Sequence, residues 1–317
     1  MAVAFTFPGQ GSQAVGMGKD LADAFPEARR IFQEVDDALG ENLTKLIWEG
    51  PEETLTLTAN AQPALMAVSL AAIRALESRG LSLKGKVAYV AGHSLGEYSA
   101  LAAAGFVSVA DAARLLRIRG NAMQAAVPAG EGAMAAIIGL EQADVEAACA
   151  EAAQASGKGS VCQVANDNGG GQLVISGARA AVELAAKLCT EKGAKRALML
   201  QVSAPFHSAL MTPAAEIMRE ALASVTMAAP VVPIVSNVTV TPTNDPDEIA
   251  RRLVEQVVAR VRWRETVEWL GANGVTTLYE IGSGKVLSGL ARRINRDIAT
   301  ASVGSAAEVE AVLAALS

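Results

Sequence analysis

The sequence predicts an α/β protein: a large domain on a parallel sheet, with a small ferredoxin-like βαββαβ domain inserted into it. Three observations carry that expectation. The first is a short apolar run, Val87 to Ala91, that enters Gly92-His93-Ser94-Leu95-Gly96 and then a helix-forming stretch, Glu97 to Ala104. The second is a composition 51% hydrophobic but only 4% aromatic, rich in Ala, Val and Leu, which suits helices packed closely on a sheet. The third is a change of texture after Gly132, where strand, helix, strand, strand, helix and strand follow within about 70 residues.

Taken in order, Val3 to Phe7 reads as the first strand, ended by Pro8-Gly9-Gln10-Gly11-Ser12-Gln13. Asp20 to Leu39 and Gln62 to Arg79 carry helical patterns, with Thr54 to Asn60 as a polar connection and Pro63 tolerated in a first helical turn. Val87 to Ala91 is the second strand, because Tyr89 and its two valines favour that state. The turn after it carries a G-x-S-x-G pattern, and Gly105 closes the following helix. Strand, sharp turn and helix form the nucleophile elbow of hydrolase-like α/β domains, which exposes the serine at the top of the sheet. A bare Gly/Ser turn is the plainer alternative. Asp111 to Gln124 is a helix bearing Arg114, Arg117 and Arg119, which cannot all share one face.

The inserted domain is expected over residues 129–200. Its elements are Gly132 to Leu140, a helix from Glu141 to Ala155, Val161 to Asn168, Gln172 to Ser176, a helix from Ala178 to Glu191, and Lys195 to Val202. The large domain then comprises residues 1–128 and 201–317. It resumes with the loop Ser203-Ala-Pro-Phe-His207 entering a helix. A strand over Val231 to Asn237, a helix over Asp247 to Arg260 and a strand over Thr276 to Ile281 follow.

Two nucleotide signatures fail on inspection. Gly9-x-Gly11-x-x-Ala14 has the spacing of a dinucleotide fingerprint, but Gly16 and Gly18 oppose the helix it must open. Gly282-Ser-Gly-Lys285 lacks the first P-loop glycine, replaced by Tyr279, and has Val286 where Ser/Thr is required. A net charge of −6 argues against nucleic acid as a partner. Cys149, Cys162 and Cys189 are too widely spaced for a zinc or disulfide framework and suit a reducing compartment. No signal sequence or membrane-length apolar stretch is evident, so a cytoplasmic protein without membrane contact is expected.

A serine nucleophile needs a base, and the chain holds two histidines. His93 adjoins Ser94 on the elbow and its ring is expected to point away from the hydroxyl. His207, in a rigid setting beside Pro205 and Phe206, remains as the candidate base.

Several stretches together resemble the malonyl-CoA:acyl carrier protein transacylases: Pro8 to Gln13, Gly92 to Glu97, Arg119-Gly120, Ser203 to His207, Gln256 before Val261-Arg262-Trp263, and Glu280 to Gly284. The resemblance runs in unbroken order from residue 5 to about residue 295. It implies a malonyl ester on Ser94, His207 as general base and acid, and an oxyanion hole from the backbone N–H groups of Gln10 and Leu95. It also implies that Arg119 clamps the malonyl carboxylate and that a backbone carbonyl at Gln256 orients the histidine. His93, Asn166 and Phe206 are further pocket candidates, Phe206 as a bulk that crowds an α-methyl group. The implied substrates are malonyl-CoA and an acyl carrier protein bearing phosphopantetheine, with no bound cofactor and no metal, in fatty acid synthesis. The family's carrier is acidic, so Lys195, Arg196, Lys285, Arg292, Arg293 and Arg296 are candidate docking charges. A stand-alone polyketide acyltransferase and a serine thioesterase or hydrolase are the competing readings. The hydrolase would leave Arg119 and the Gln10 loop without a purpose.

Overall fold

A computed structural model describes residues 2–202 and 204–316 of the chain. Ten strands are described: β1 (Ala2–Phe7), β2 (Tyr89–Gly92), β3 (Gly132–Ile138), β4 (Cys162–Asp167), β5 (Gln172–Ala178), β6 (Arg196–Met199), β7 (Ile234–Val235), β8 (Pro242–Thr243), β9 (Val275–Ile281) and β10 (Ala299–Val303). They form two sheets, one of order β10-β9-β1-β2-β7-β8 and one of order β4-β5-β3-β6.

The larger sheet is parallel from β10 to β7, and β8 closes its edge antiparallel to β7. It is therefore mixed rather than purely parallel. The reversal is local: the connection from Ser236 to Thr241 is too short for a crossover helix, so the chain can only fold back. The expected strand from Val231 to Asn237 shrinks to two residues for a related reason. Pro230 and Pro233 supply no N–H to a ladder, and only the Pro233 carbonyl is used, accepting from Val90 N–H at 3.0 Å.

Helix Thr58–Ser78 is the spine of the large unit, with sixteen of its residues buried. It begins earlier than its sequence suggests, so Asn60 lies inside the helix and the connection shortens to Leu57 after helix Glu52–Thr56. Pro63 thus lies within the helix and leaves the Ala59 carbonyl without its usual donor. Arg117 Nη1 fills that gap at 2.7 Å. The long helix expected over Asp20 to Leu39 is interrupted at Phe25, whose extended backbone (φ −127°, ψ 112°) follows from the proline after it. Helices Leu43–Glu49, Trp263–Ala272, Val286–Ile294 and Ala306–Leu316, with strand β10, are further elements of the unit that the sequence reading did not assign.

The second sheet is antiparallel throughout and carries helices Gln142–Ala155 and Arg179–Glu191, which bury their own apolar cluster. It is stitched to the larger unit. Val261 N–H donates to Ala165 O at 2.8 Å, Asp167 N–H donates to Val261 O at 2.9 Å, and Arg264 pairs with Asp167 at 2.8 Å. Among the described residues no helix is long and apolar enough to cross a membrane.

Candidate active site

Ser94 stands between the end of β2 and helix Gly96–Ala103. Its φ of +54° is unusual for a residue with a side chain and reflects the sharpness of the turn. The turn is possible because a Cβ on Gly92 would overlap the Gly96 backbone, and one on Gly96 would overlap Phe7 O. Asn237, just past β7, pins the elbow from outside. Its Oδ1 accepts from Ser94 N–H at 2.8 Å and its Nδ2 donates to Gly92 O at 2.7 Å.

His207 lies 113 residues further along the chain, yet its Nε2 is 2.7 Å from Ser94 Oγ. Its Nδ1 is 2.9 Å from the backbone carbonyl of Gln256. That carbonyl is available because Gln256 ends helix Pro246–Gln256, where the last carbonyls have no intrahelical donor. The pairing fixes the tautomer: Nδ1–H donates to the carbonyl, and bare Nε2 accepts the serine proton. Burial, and then the nearby Arg119 charge, hold the His207 pKa down at about 3, so the ring is neutral near pH 7. Ser203 of the expected loop motif lies outside the described residues.

Arg119 is the arginine that turns inward. It is 1% exposed, whereas Arg114 is exposed and Arg117 serves the Ala59 carbonyl. Its Nη1 donates to Gln62 Oε1 at 2.8 Å, and its Nη2 donates to Gln256 Oε1 at 2.8 Å and Ser94 Oγ at 3.1 Å. The guanidinium also lies 5.6 Å from the Tyr98 ring centroid. A buried cation therefore donates directly to the serine hydroxyl.

These groups open into a cavity of about 500 Å³. Gln10, Leu95, Asn166 and Phe206 line it, with His93 at its wall. The backbone N–H groups of Gln10 and Leu95 have no partner among the described residues. The Gln10 side chain is held by Thr58 Oγ1 at 3.0 Å. The His93 ring turns away from Ser94, with Nε2 2.9 Å from Asn168 Oδ1 and its face against Trp263. Of the basic candidates, Arg293 lines the cavity, Lys285 pairs with Glu308 at 3.1 Å, and Arg292 binds Thr300 Oγ1 at 2.7 Å.

Four residues that sequence reasoning did not assign are built into this geometry: Gln62, Glu97, Asn168 and Asn237. Gln62 sits one helical turn from Thr58 and bonds it at 2.9 Å, linking the Arg119 partner to the Gln10 loop. Glu97 is 2% exposed, and burial lifts its carboxyl pKa to about 7 against the pull of hydrogen bonds from Asn237 and Gln256. Its place three residues after the nucleophile was a usable signal; Asn237 and Asn168 carried none. Among the described residues no group of three or more His, Cys, Asp or Glu could hold a metal ion.

The arrangement can deprotonate a serine, stabilise an oxyanion and hold a carboxylate beside the new ester. Known proteins are similar to this chain over almost its whole length. The acyl transferase domain family matches residues 4–308. The malonyl CoA-acyl carrier protein transacylase of Bacillus subtilis strain 168 is 47% identical over 99% of this chain and 97% of its own length. The solved acyl-carrier-protein-S-malonyltransferase of Bartonella henselae superposes with a TM-score of 0.97 at 63% identity, covering 100% of this chain and 99% of that one. A solved malonyl-transacylase in complex with its type II polyketide-synthase acyl carrier protein superposes at 0.95 with 44% identity, covering 99% and 100%. The chain belongs to the acyl transferase domain family and, within it, to the malonyl-CoA:acyl carrier protein transacylases.

Proposed function

We propose that this protein transfers the malonyl group of malonyl-CoA to the phosphopantetheine thiol of an acyl carrier protein, through a malonyl ester on Ser94. The observation that carries the assignment is the position of Ser94 Oγ, 2.7 Å from a neutral imidazole and 3.1 Å from a buried guanidinium. Ser94 Oγ attacks the thioester carbonyl while His207 Nε2 takes its proton. The Gln10 and Leu95 N–H groups receive the developing oxyanion, with the positive end of helix Gly96–Ala103 behind them. The C–S bond breaks and the imidazolium returns the proton to the departing CoA sulfur. The carrier thiol then enters, gives its proton to His207 and attacks the ester, and Ser94 recovers its hydrogen.

Arg119 holds the malonyl carboxylate, for which a planar guanidinium is better suited than lysine. The bound carboxylate offsets the Arg119 charge, which after burial is the next cause of the low His207 pKa, so imidazolium formation becomes easier once the substrate is seated. Gln256 orients His207 through its carbonyl, where serine hydrolases use an acid. Phe206, buried at the cavity wall, limits room beside the malonyl α-carbon. His93 and Asn166 shape the pocket.

The same proposal divides the chain into a hydrolase-like large domain, residues 1–128 and 201–317, and a ferredoxin-like small domain, residues 129–200. Strand order β4-β5-β3-β6 with two helices on one face supports the second label. The nucleophile elbow supports the first. No bound cofactor is needed for this chemistry. The acceptor is the carrier protein of fatty acid synthesis, docked by basic side chains about the cleft, with Arg293 best placed. Three free, buried cysteines suit a cytoplasmic setting.

Intact-protein mass after brief mixing with malonyl-CoA, acetyl-CoA or methylmalonyl-CoA tests the mechanism. Wild type gains a malonyl adduct and Ser94→Ala gains none. Absence of any adduct on wild type, together with ester hydrolysis, would favour a hydrolase instead.

A further inference from the structure

Glu97 is a buried carboxylate with no cation at ion-pair distance among the described residues. Such a group is costly to bury and calls for a reason beyond packing. Its two oxygens face two different segments of the site. Oε1 accepts the Asn237 backbone N–H at 2.5 Å, and Oε2 accepts from Gln256 Nε2. Asn237 brackets the elbow, as described above. Gln256 is the hub of the remaining machinery. Its Nε2 also donates to Ser94 O at 2.9 Å, its Oε1 accepts from Arg119 Nη2, and its carbonyl holds His207.

We propose that Glu97 is a positioning residue that sets malonyl selectivity by fixing which end of the Gln256 amide faces Arg119. The inference rests on the assignment of Arg119 as the carboxylate clamp. Both Glu97 oxygens act as acceptors here, Oε1 from the Asn237 N–H and Oε2 from Gln256 Nε2, whose other bond goes to Ser94 O, itself only an acceptor. Only Nε2 of Gln256 can therefore point at Glu97, which leaves Oε1 to face Arg119. A glutamine at position 97 weakens that constraint, leaving Ser94 O as the one dedicated acceptor for Nε2. Its amide has one acceptor for two donors, the Asn237 N–H and Gln256 Nε2. Either a buried N–H loses its acceptor or Gln256 rotates and turns Nε2 towards the guanidinium, donor against donor. The clamp then loses its support while the His207 carbonyl contact, made by the backbone, stays.

The test compares single-turnover loading of malonyl-CoA and acetyl-CoA by intact mass, with folding of each variant followed by thermal unfolding. Glu97→Gln is expected to slow malonyl loading about 10- to 100-fold and to change acetyl loading less than threefold. Gln256→Met should lower the malonyl-to-acetyl ratio likewise, and Glu97→Gln added to it should change the ratio no further. Arg119→Ala, measured alongside, reports on the clamp itself. If Arg119→Ala collapses the ratio but Glu97→Gln lowers both donors equally, Glu97 is merely structural and the inference is overturned. If Arg119→Ala leaves the ratio intact, the clamp assignment fails instead. Should Glu97→Gln not fold, an unchanged ratio in Gln256→Met overturns the proposal, and a lowered one supports it.

Discussion

Replacing Gly120 by alanine adds one methyl group where two helices meet, next to Arg119, the proposed carboxylate clamp. Helices Thr58–Ser78 and Val109–Ala125 cross there. A Cβ on Gly120 would lie 2.6 Å from Ala59 Cα, 2.9 Å from Thr58 O and 3.0 Å from Ala59 N, all backbone atoms that cannot swing aside. Carbon atoms settle at about 3.5–4.0 Å, so the helices must separate by about 1 Å. Arg119 precedes the new methyl and binds Gln62 across the same crossing at 2.8 Å. An added ångström takes that bond beyond hydrogen-bonding range. It also disturbs Thr58, which links Gln62 to Gln10. Overpacking of this kind costs about 1–3 kcal/mol of stability. A misplacement of about 1 Å in a positioned group costs about 100-fold in rate. Gly120→Ala is therefore expected to remain folded, to melt a few degrees lower, and to lose about two orders of magnitude in kcat/KM for malonyl-CoA. A coupled carrier-malonylation assay and a thermal melt measure both. A variant within threefold of wild type in kcat/KM would refute the claim that this crossing positions Arg119.

Arg119→Ala should lose about 2–5 kcal/mol of transition-state binding for malonyl-CoA, roughly 30- to several-thousand-fold, while acetyl loading persists; equal losses for both donors count against a clamp. Phe206→Leu should raise the methylmalonyl-to-malonyl ratio of kcat/KM about tenfold, since one methyl group is worth about 1–3 kcal/mol; an unchanged ratio would mean that Phe206 does not set the limit. His207 supplies a pH signature. Its folded pKa of about 3 lies below the ordinary value of 6.5, so the unfolded chain binds the extra proton between those limits. The stability it contributes is complete above pH 6.5 and is lost as pH falls. Between pH 7.5 and 5 wild type should lose about 2 kcal/mol relative to His207→Asn in denaturant titrations, whereas parallel curves would show that the histidine is not buried neutral.

The elbow was legible because its residues are local: Val87 to Gly105 contains the strand, both glycines, the serine and the helix. The six elements of the inserted unit were legible for the same reason, each carrying its own periodicity between clear turns. Arg119 could be narrowed to one of three arginines by helical geometry, but which one turns inward depends on Gly120 meeting Ala59, a contact between distant segments. His207 followed from scarcity rather than spacing. Asn237 and Asn168 had no local signature, since an asparagine after a strand is ordinary turn chemistry until the elbow is folded against it. The strand over Val231 to Asn237 was read too long, and the return strand β8 and the last strand, β10, were illegible because a two-residue strand and a half-exposed run such as Ala299 to Val303 carry almost no periodicity.

The stitch between β4 and Val261 bears on how this scaffold can be altered. Most insertions hang from two chain crossings and can be exchanged at those crossings alone. Here residues 165–167 borrow hydrogen-bond partners from residue 261, and Asp167 borrows a counter-charge from Arg264. A graft of residues 129–200 from a relative would thus transplant one side of a seam. The donor's counterparts of residues 261–264 have to travel with it, and that stretch lies a few residues beyond Gln256, whose carbonyl holds the His207 ring. The unit is consequently not a detachable cassette: recombination that respects only the two visible junctions cuts the seam at Val261, close to the segment that holds His207.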